Sequence, residues 1–210
     1  MPKRVSDAVI RRLPRYYRQL HDLEESEVVR ISSSELGEKM GLTASQIRQD
    51  LNCFGGFGQQ GYGYRVIDLK EKIASILAID KTWRIIIVGV GNIGSALTGY
   101  REFKSEGFEL MALFDTNKYL IGTKKMGLVI YHVEQMSDYI RQNDIDIVTL
   151  AVPAAAAQVL AEKAIAAGAK AIWNFAPVDV RLDNAVVENI HLTDSLMSLS
   201  FRLSNKDREF

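Results

Sequence analysis

The stretch that most constrains this chain is an apolar, β-branched run that breaks into a glycine pattern. Arg84-Ile85-Ile86-Ile87-Val88 leads directly into Gly89-Val90-Gly91-Asn92-Ile93-Gly94. A buried strand, G-x-G-x-x-G and a following helix open a dinucleotide-binding βαβ unit, and each glycine answers a separate demand. Gly89 makes the tight turn, Gly91 lets backbone approach a pyrophosphate, and Gly94 lets the helix pack against the strand. The loop and helix start (Val90, Asn92, Ile93) then offer backbone N–H groups to phosphate. A second strand at 109–114 ends at Asp115, 21 residues beyond Gly94, where an acid binds a ribose 2′-hydroxyl. Asp115 would repel a 2′-phosphate, which favours NAD⁺/NADH over the phosphorylated cofactors; Lys118 blunts that preference slightly. Such a unit usually starts a chain, yet here it starts only at residue 84.

Strand and helix signals keep alternating afterwards. Strands are expected at 128–131, 146–152, 169–175 and 186–190, with helices at 134–141 and 154–167, the pattern of a doubly wound parallel sheet. Val152-Pro153 and Ala176-Pro177 follow strand carboxyl ends, the edge where such a sheet places its ligand, so they are candidate nicotinamide neighbours. From Thr193 onward Leu196, Leu199 and Leu203 recur at helical spacing beside Phe201, giving a terminal helix whose apolar face needs a partner surface.

Composition excludes some classes. Of 210 residues, 47% are hydrophobic and 25% charged, which suits a soluble chain with a real core. One cysteine, Cys53, rules out a disulfide framework or a cysteine-rich zinc site and fits a reducing cytosol. Near a helix C-terminus and with no flanking base, it lacks the features that activate a thiol, so a thiol switch is disfavoured. No apolar run reaches membrane-spanning length and there is no signal peptide, so a cytoplasmic protein is expected. Acids and bases balance at 26 each, but residues 1–20 carry six basic side chains against Asp7, a net +5. A basic stripe at one end of a neutral protein is a candidate phosphate-facing surface.

That stripe belongs to a helical segment. Ser6 is a candidate cap for a helix with Val9, Leu13, Tyr16, Tyr17, Leu20 and Leu23 on one face, which Pro14 should kink or restart. Ser32-Ser33-Ser34-Glu35 reads as a capping box opening a short helix to Met40, with Gly41 as its stop. Thr43-Ala44-Ser45-Gln46 reads as a second box, opening a helix through Ile47, Leu51 and Phe54. Two short helices across a glycine turn make a helix-turn-helix. Ser45, Gln46, Arg48 and Gln49 lie off the inward Ile47–Leu51 stripe, which suits a recognition helix in a major groove, where Arg reads guanine and Gln adenine. The following stretch, 55–66, holds five glycines and four aromatic or β-branched residues and suggests a wing with Gln59-Gln60-Gly61 at its tip. Asp68 should cap an amphipathic helix carrying Leu69, Ile73, Ile76 and Leu77. The expected division is a winged-helix DNA-binding domain at 1–80, a Rossmann-like NAD(H) domain at 81–192 and a terminal dimerisation helix at 193–210.

These residues together resemble the bacterial redox-sensing transcriptional repressor family Rex. The resemblance rests on Arg12-Leu13-Pro14-Arg15-Tyr16-Tyr17, Ile31-Ser32-Ser33-Ser34-Glu35-Leu36 and Ala44-Ser45-Gln46-Ile47-Arg48-Gln49-Asp50-Leu51. It extends through the Phe54-to-Tyr64 glycine loop, Gly89 to Gly94, and Asn174-Phe175-Ala176-Pro177. It implies a cytoplasmic bacterial homodimer on a pseudo-palindromic operator, released by NADH, with NAD⁺ competing for the same site and the terminal helix inserted into the other subunit. On that reading Gln46 and Arg48 read bases, with Ser45 and Gln49 beside them. Arg12, Arg15 and Ser33 hold phosphates, and Gln60 and Gly61 serve the wing.

Three departures stand out. Gln59-Gln60 replaces a basic wing tip, Cys53 replaces a tyrosine, and Ile190-His191-Leu192 stands where Val-Asp-Leu is usual. The resemblance gives that aspartate a part in distinguishing cofactor states across the dimer, so His191 is a candidate switch whose titration would make the response pH-dependent. The competing reading is a small NAD-dependent oxidoreductase with a helical appendage. It lacks a substrate domain, and His132 and His191 have no carboxylate nearby in sequence to make an acid/base pair. A coenzyme A- or nucleotide-binding module is a third reading, but it leaves the recognition helix and wing unexplained.

Overall fold

The computed structural model describes residues 5–55 and 62–206, so Gln59, Gln60 and Gly61 lie outside the described residues. The chain divides into two compact units, Met1–Lys81 and Thr82–Phe210.

The first unit runs α1 (Asp7–Glu25), β1 (Arg30–Ile31), α2 (Ser33–Met40), α3 (Ala44–Asn52), β2 (Tyr64–Arg65) and α4 (Val66–Leu77). α1 does not restart at Pro14. It stays one 19-residue helix with Pro14 on its exposed side. Proline removes one backbone hydrogen bond there, while Leu13, Tyr16, Leu20 and Leu23 on the opposite side remain anchored in the core with Leu36, Ile47, Leu51, Leu69 and Ile73.

Ser32 and Glu35 form both bonds of a capping box, and Gly41 closes α2 in the left-handed region. Only half of the second box exists. Thr43 Oγ1 accepts the Gln46 N–H, but the Gln46 side chain goes elsewhere. α3 stops at Asn52, short of Phe54. β1 and β2 pair antiparallel, Ile31 opposite Tyr64, which sets the base of a wing. α4 begins two residues before Asp68. That carboxylate sits in the first turn and pairs with Arg65 at 3.2 Å instead of capping.

The second unit is a seven-stranded sheet. Its strands are β3 (Trp83–Val88), β4 (Phe108–Asp115), β5 (Lys124–Lys125), β6 (Leu128–His132), β7 (Ile147–Leu150), β8 (Ala171–Asn174) and β9 (Val186–Asn189). Its helices are α5 (Asn92–Thr98), α6 (Glu102–Ser105), α7 (Met136–Asn143), α8 (Ala154–Ala166) and α9 (Leu192–Ser204), with a 3₁₀ turn at Val133–Gln135. The order is β5-β6-β4-β3-β7-β8-β9, parallel except for β5 at one edge. Both faces are covered. Ile86, Val88, Phe114, Val148, Leu150 and Ile172 pack on one side with α7 and α8. Ile87, Leu113 and Ile130 pack on the other with Val90 and Leu97. That two-sided burial is why β3 reads as an unbroken apolar run. No described helix is long and apolar enough to cross a membrane.

Candidate functional site

The strand order reverses between β3 and β7, so the loops leaving their carboxyl ends diverge and open a crevice. The glycine loop lines it and is closed on two sides. Gly89 has φ +94°, and a Cβ there would lie 2.3 Å from the Ala151 carbonyl oxygen. A Cβ on Gly94 would lie 1.8 Å from the Gly89 carbonyl oxygen. Gly91 is the contrast, because a Cβ on it would meet nothing within 4 Å. The backbone is thus pressed against protein at the first and third glycines and open at the second.

Asp115 ends β4 beside this loop. Its Oδ2 accepts the Val90 N–H at 2.7 Å and its Oδ1 the Asn117 N–H at 2.8 Å. The Val90 N–H is therefore taken by Asp115 and is not free for phosphate, as the sequence had suggested. This leaves Asn92 and Ile93 as the N–H donors at the start of α5. Ser95 Oγ donates to the Val90 carbonyl at 2.9 Å and fixes the loop from below. Lys118 is exposed, its Nζ 5.9 Å from the centre of the Tyr119 ring.

Val152 and Pro153 join β7 to α8, and Ala176 and Pro177 follow β8. The second of these segments is laced down by buried Asn174. Its Nδ2 donates to the Val178 carbonyl at 2.7 Å and to Asn189 Oδ1 at 2.8 Å, while its Oδ1 accepts the Ala176 N–H. Asn189, the register partner of Asn174, bonds both backbone groups of Val180. At the end of this segment Asp179 Oδ1 lies 2.8 Å from His191 Nε2, at the start of α9. His191 thus has a carboxylate partner twelve residues away in sequence. The hydrogen bond that protonated His191 donates to Asp179 raises the His191 pKa above its ordinary value, against the opposing effect of burial, and His191 in turn holds Asp179 below the usual carboxylate range. His132 Nδ1 accepts the Glu134 N–H at 3.3 Å and so caps the 3₁₀ turn, with the Glu134 carboxylate 3.4 Å away.

In the first unit the helix-turn-helix presents α3. Ser45, Arg48 and Gln49 are exposed along it. Arg48 Nη1 donates to Ser33 Oγ at 3.0 Å, so a residue expected at bases and one expected at phosphates stand together. Arg15 Nη2 donates to the Met40 carbonyl at the end of α2.

Arg12 and Gln46 share a partner inside the unit that the sequence did not suggest. Both donate to Asp50, which is 1% exposed. Arg12 grips both carboxylate oxygens at 2.6 and 2.8 Å, Tyr16 Oη donates at 2.9 Å, and Gln46 Nε2 donates at 2.7 Å. Burial opposes ionisation of Asp50, but these four donors outweigh it and hold the carboxyl below its usual range. The charge of Arg12 is therefore spent inside the unit. Sequence reasoning missed Asp50, although its place three residues after Ile47 and next to Leu51 puts an acid on the buried face.

The residue that follows α3, Cys53, is exposed, with its Sγ 3.3 Å from the Gln49 carbonyl. α9 keeps its apolar side chains in the open: Leu192, Leu196, Met197, Leu199, Phe201 and Leu203 are all more than half exposed.

Comparison with known proteins accounts for both units. Residues 4–52 match the family model described as "Putative DNA-binding protein N-terminus", and residues 80–178 match a coenzyme A-binding domain model. The redox-sensing transcriptional repressor Rex of Thermoanaerobacter pseudethanolicus is 51% identical over 205 residues, which are 97% of this chain and 92% of that protein. The Rex of Clostridium beijerinckii is 50% identical over 98% of both chains. Among solved structures, RSP in complex with β-NAD⁺ and operator DNA superposes with a TM-score of 0.92 at 51% identity, covering 97% of this chain and 94% of RSP. RSP with β-NADH gives 0.89 at 48% identity, covering 98% and 97%. Identity at this level along nearly the whole length, on the same two-unit fold, means that this chain belongs to the Rex family of redox-sensing transcriptional repressors.

Proposed function

We propose that this chain is a homodimeric repressor whose hold on a pseudo-palindromic operator is released by NADH, with NAD⁺ competing for the same cofactor site. The observation that carries the reading is the glycine loop, closed at Gly89 and Gly94 and open at Gly91, beside Asp115. In this reading a pyrophosphate lies along Gly91, Asn92 and Ile93, and Asp115 takes the adenosine ribose diol with its remaining lone pairs. A negative charge there disfavours a 2′-phosphate. Val152-Pro153 and Ala176-Pro177 flank the nicotinamide, and Lys118 stands at the adenosine end. The relatives with this fold are named repressors, and RSP is seen with both β-NAD⁺ and β-NADH. We assign the chain no catalytic step.

On the DNA side, Arg48, Gln46, Ser45 and Gln49 face the major groove, with Arg15 and Ser33 near phosphates. Gln60 and Gly61 serve a wing that, lacking basic residues at its tip, adds little electrostatic attraction. Arg12 supports this surface through Asp50 instead of through phosphate. A recognition helix from each of two subunits is needed to read half-sites one turn apart. The exposed apolar face of α9 supplies the reason to dimerise, inserted into the other subunit. His191 ties the root of α9 to the segment after Ala176-Pro177, so a change at the nicotinamide reaches the dimer through this pair.

NADH moves the equilibrium only as far as it binds the DNA-incompetent state more tightly. Selection of duplexes from a random pool tests the DNA half, and an inverted repeat is the expected winner. On that repeat Arg48→Ala should weaken binding by about 1–3 kcal/mol and relax preference at one position. Recovery of no preferred sequence would return the chain to the oxidoreductase reading.

A further inference from the structure

The exposed reading surface of α3 rests on a carboxylate that never reaches it. Asp50 is buried, ionised and surrounded by donors: two from Arg12, one from Tyr16 and one from Gln46. An ionised carboxylate accepts and cannot donate. Whatever atom of the Gln46 amide faces Asp50 must therefore be its NH₂ group. The carbonyl Oε1 is then turned away from Asp50. Gln46 also lies at the start of α3, where its N–H is capped by Thr43 Oγ1, so the backbone carrying this side chain is fixed as well. A free glutamine amide flips at little cost and reads a donor or an acceptor alike. This one does not.

We propose that Asp50 is a specificity-determining positioning residue, which locks the Gln46 amide so that it offers a carbonyl acceptor to the DNA. The inference rests on the reading of α3 as a recognition helix and deepens it. The base opposite Gln46 must then place an exocyclic amine in the major groove, either N6 of adenine or N4 of cytosine. An acceptor placed directly against Oε1, such as guanine O6 or thymine O4, is disfavoured there, because two acceptors would face each other. The lock does not depend on Asp50 touching DNA. It depends on the carboxylate being unable to donate, which is why the amide analogue is the informative change.

The test uses the full-length protein and its selected duplex, with each position changed in turn to all four bases and affinity read by anisotropy. The position assigned to Gln46 is the one whose preference Gln46→Met removes. The expected contact there is the exocyclic amine of the pair, on adenine or on cytosine. Replacing that base by its analogue without the amine (purine or 2-pyrimidinone) should weaken binding roughly two- to tenfold, the worth of one hydrogen bond. Gln46→Met should be indifferent to the replacement.

Asp50→Asn should lose the preference at this position alone, keeping affinity for unrelated DNA and preference elsewhere, and should have no further effect at that position in the Gln46→Met background. If Asp50→Asn does not fold, the analogue experiment on the wild type and Gln46→Met still decides. A wild-type protein indifferent to removal of that amine, or an Asp50→Asn protein whose preferences fall at every position equally, overturns the inference while leaving the repressor intact. A wild-type protein with no preferred duplex overturns both.

Discussion

At the scale of single residues, two glycines of one loop separate packing from binding. Gly94 is filled by the Gly89 carbonyl, so Gly94→Ala forces α5 off its strand and should cost about 1–3 kcal/mol, the usual range for an overpacked contact. Gly91 has φ −71°, which alanine adopts freely, and open space on its Cβ side. Gly91→Ala should keep the melting temperature of the wild type and still weaken NADH, because the methyl stands where the pyrophosphate would lie. Thermal melts beside NADH fluorescence titrations check both, and equal loss of stability in the two variants would contradict the assignment.

His191 gives a second prediction at this scale. Its pKa is raised by Asp179, so the pair contributes fully below the ordinary histidine value and fades as pH rises through the raised one. Asp179, held low, stays ionised throughout that window. Arg181 at 3.8 Å from Asp179, and Asp194 in the first turn of α9, share the site. The NADH concentration that releases DNA should therefore shift between pH 6 and 8 in the wild type and stay constant in His191→Asn. A flat wild-type profile removes His191 from the coupling.

At the scale of elements, α9 carries the clearest expectation. A 13-residue helix with its leucines exposed is marginal alone. Leu196→Asp with Leu199→Asp should convert the dimer to a monomer by sedimentation, and should abolish operator binding while leaving NADH binding within the monomer. A dimer that survives both changes would place the interface elsewhere.

Elements were legible in the sequence where one period dominated. The β3 run, the glycine pattern and the capping box at Ser32 each follow from local chemistry. What stayed hidden was set by distant partners. β1 is two residues long and exists because Tyr64 pairs with Ile31. Pro14 fails to break α1 because the burial of Leu13, Tyr16 and Leu20 outweighs one lost backbone bond. Arg12 is basic and near the terminus, as a phosphate ligand would be, and only the fold brings it to Asp50, 38 residues away. His191 meets Asp179 for the same kind of reason.

For the whole molecule, the proposed function has the cofactor cleft and the DNA-reading unit answer to each other through a dimer. Each unit has its own core, so the loss of one activity by a substitution need not remove the other. The central claim is the coupling. It is tested most directly by titrating NADH into the protein bound to its selected inverted repeat, with NAD⁺ and NADPH titrated in parallel, and reading anisotropy. Release by NADH, retention with NAD⁺ and little effect of NADPH is the predicted result. Specific DNA binding that NADH leaves unchanged, with NADH shown to bind, would contradict it.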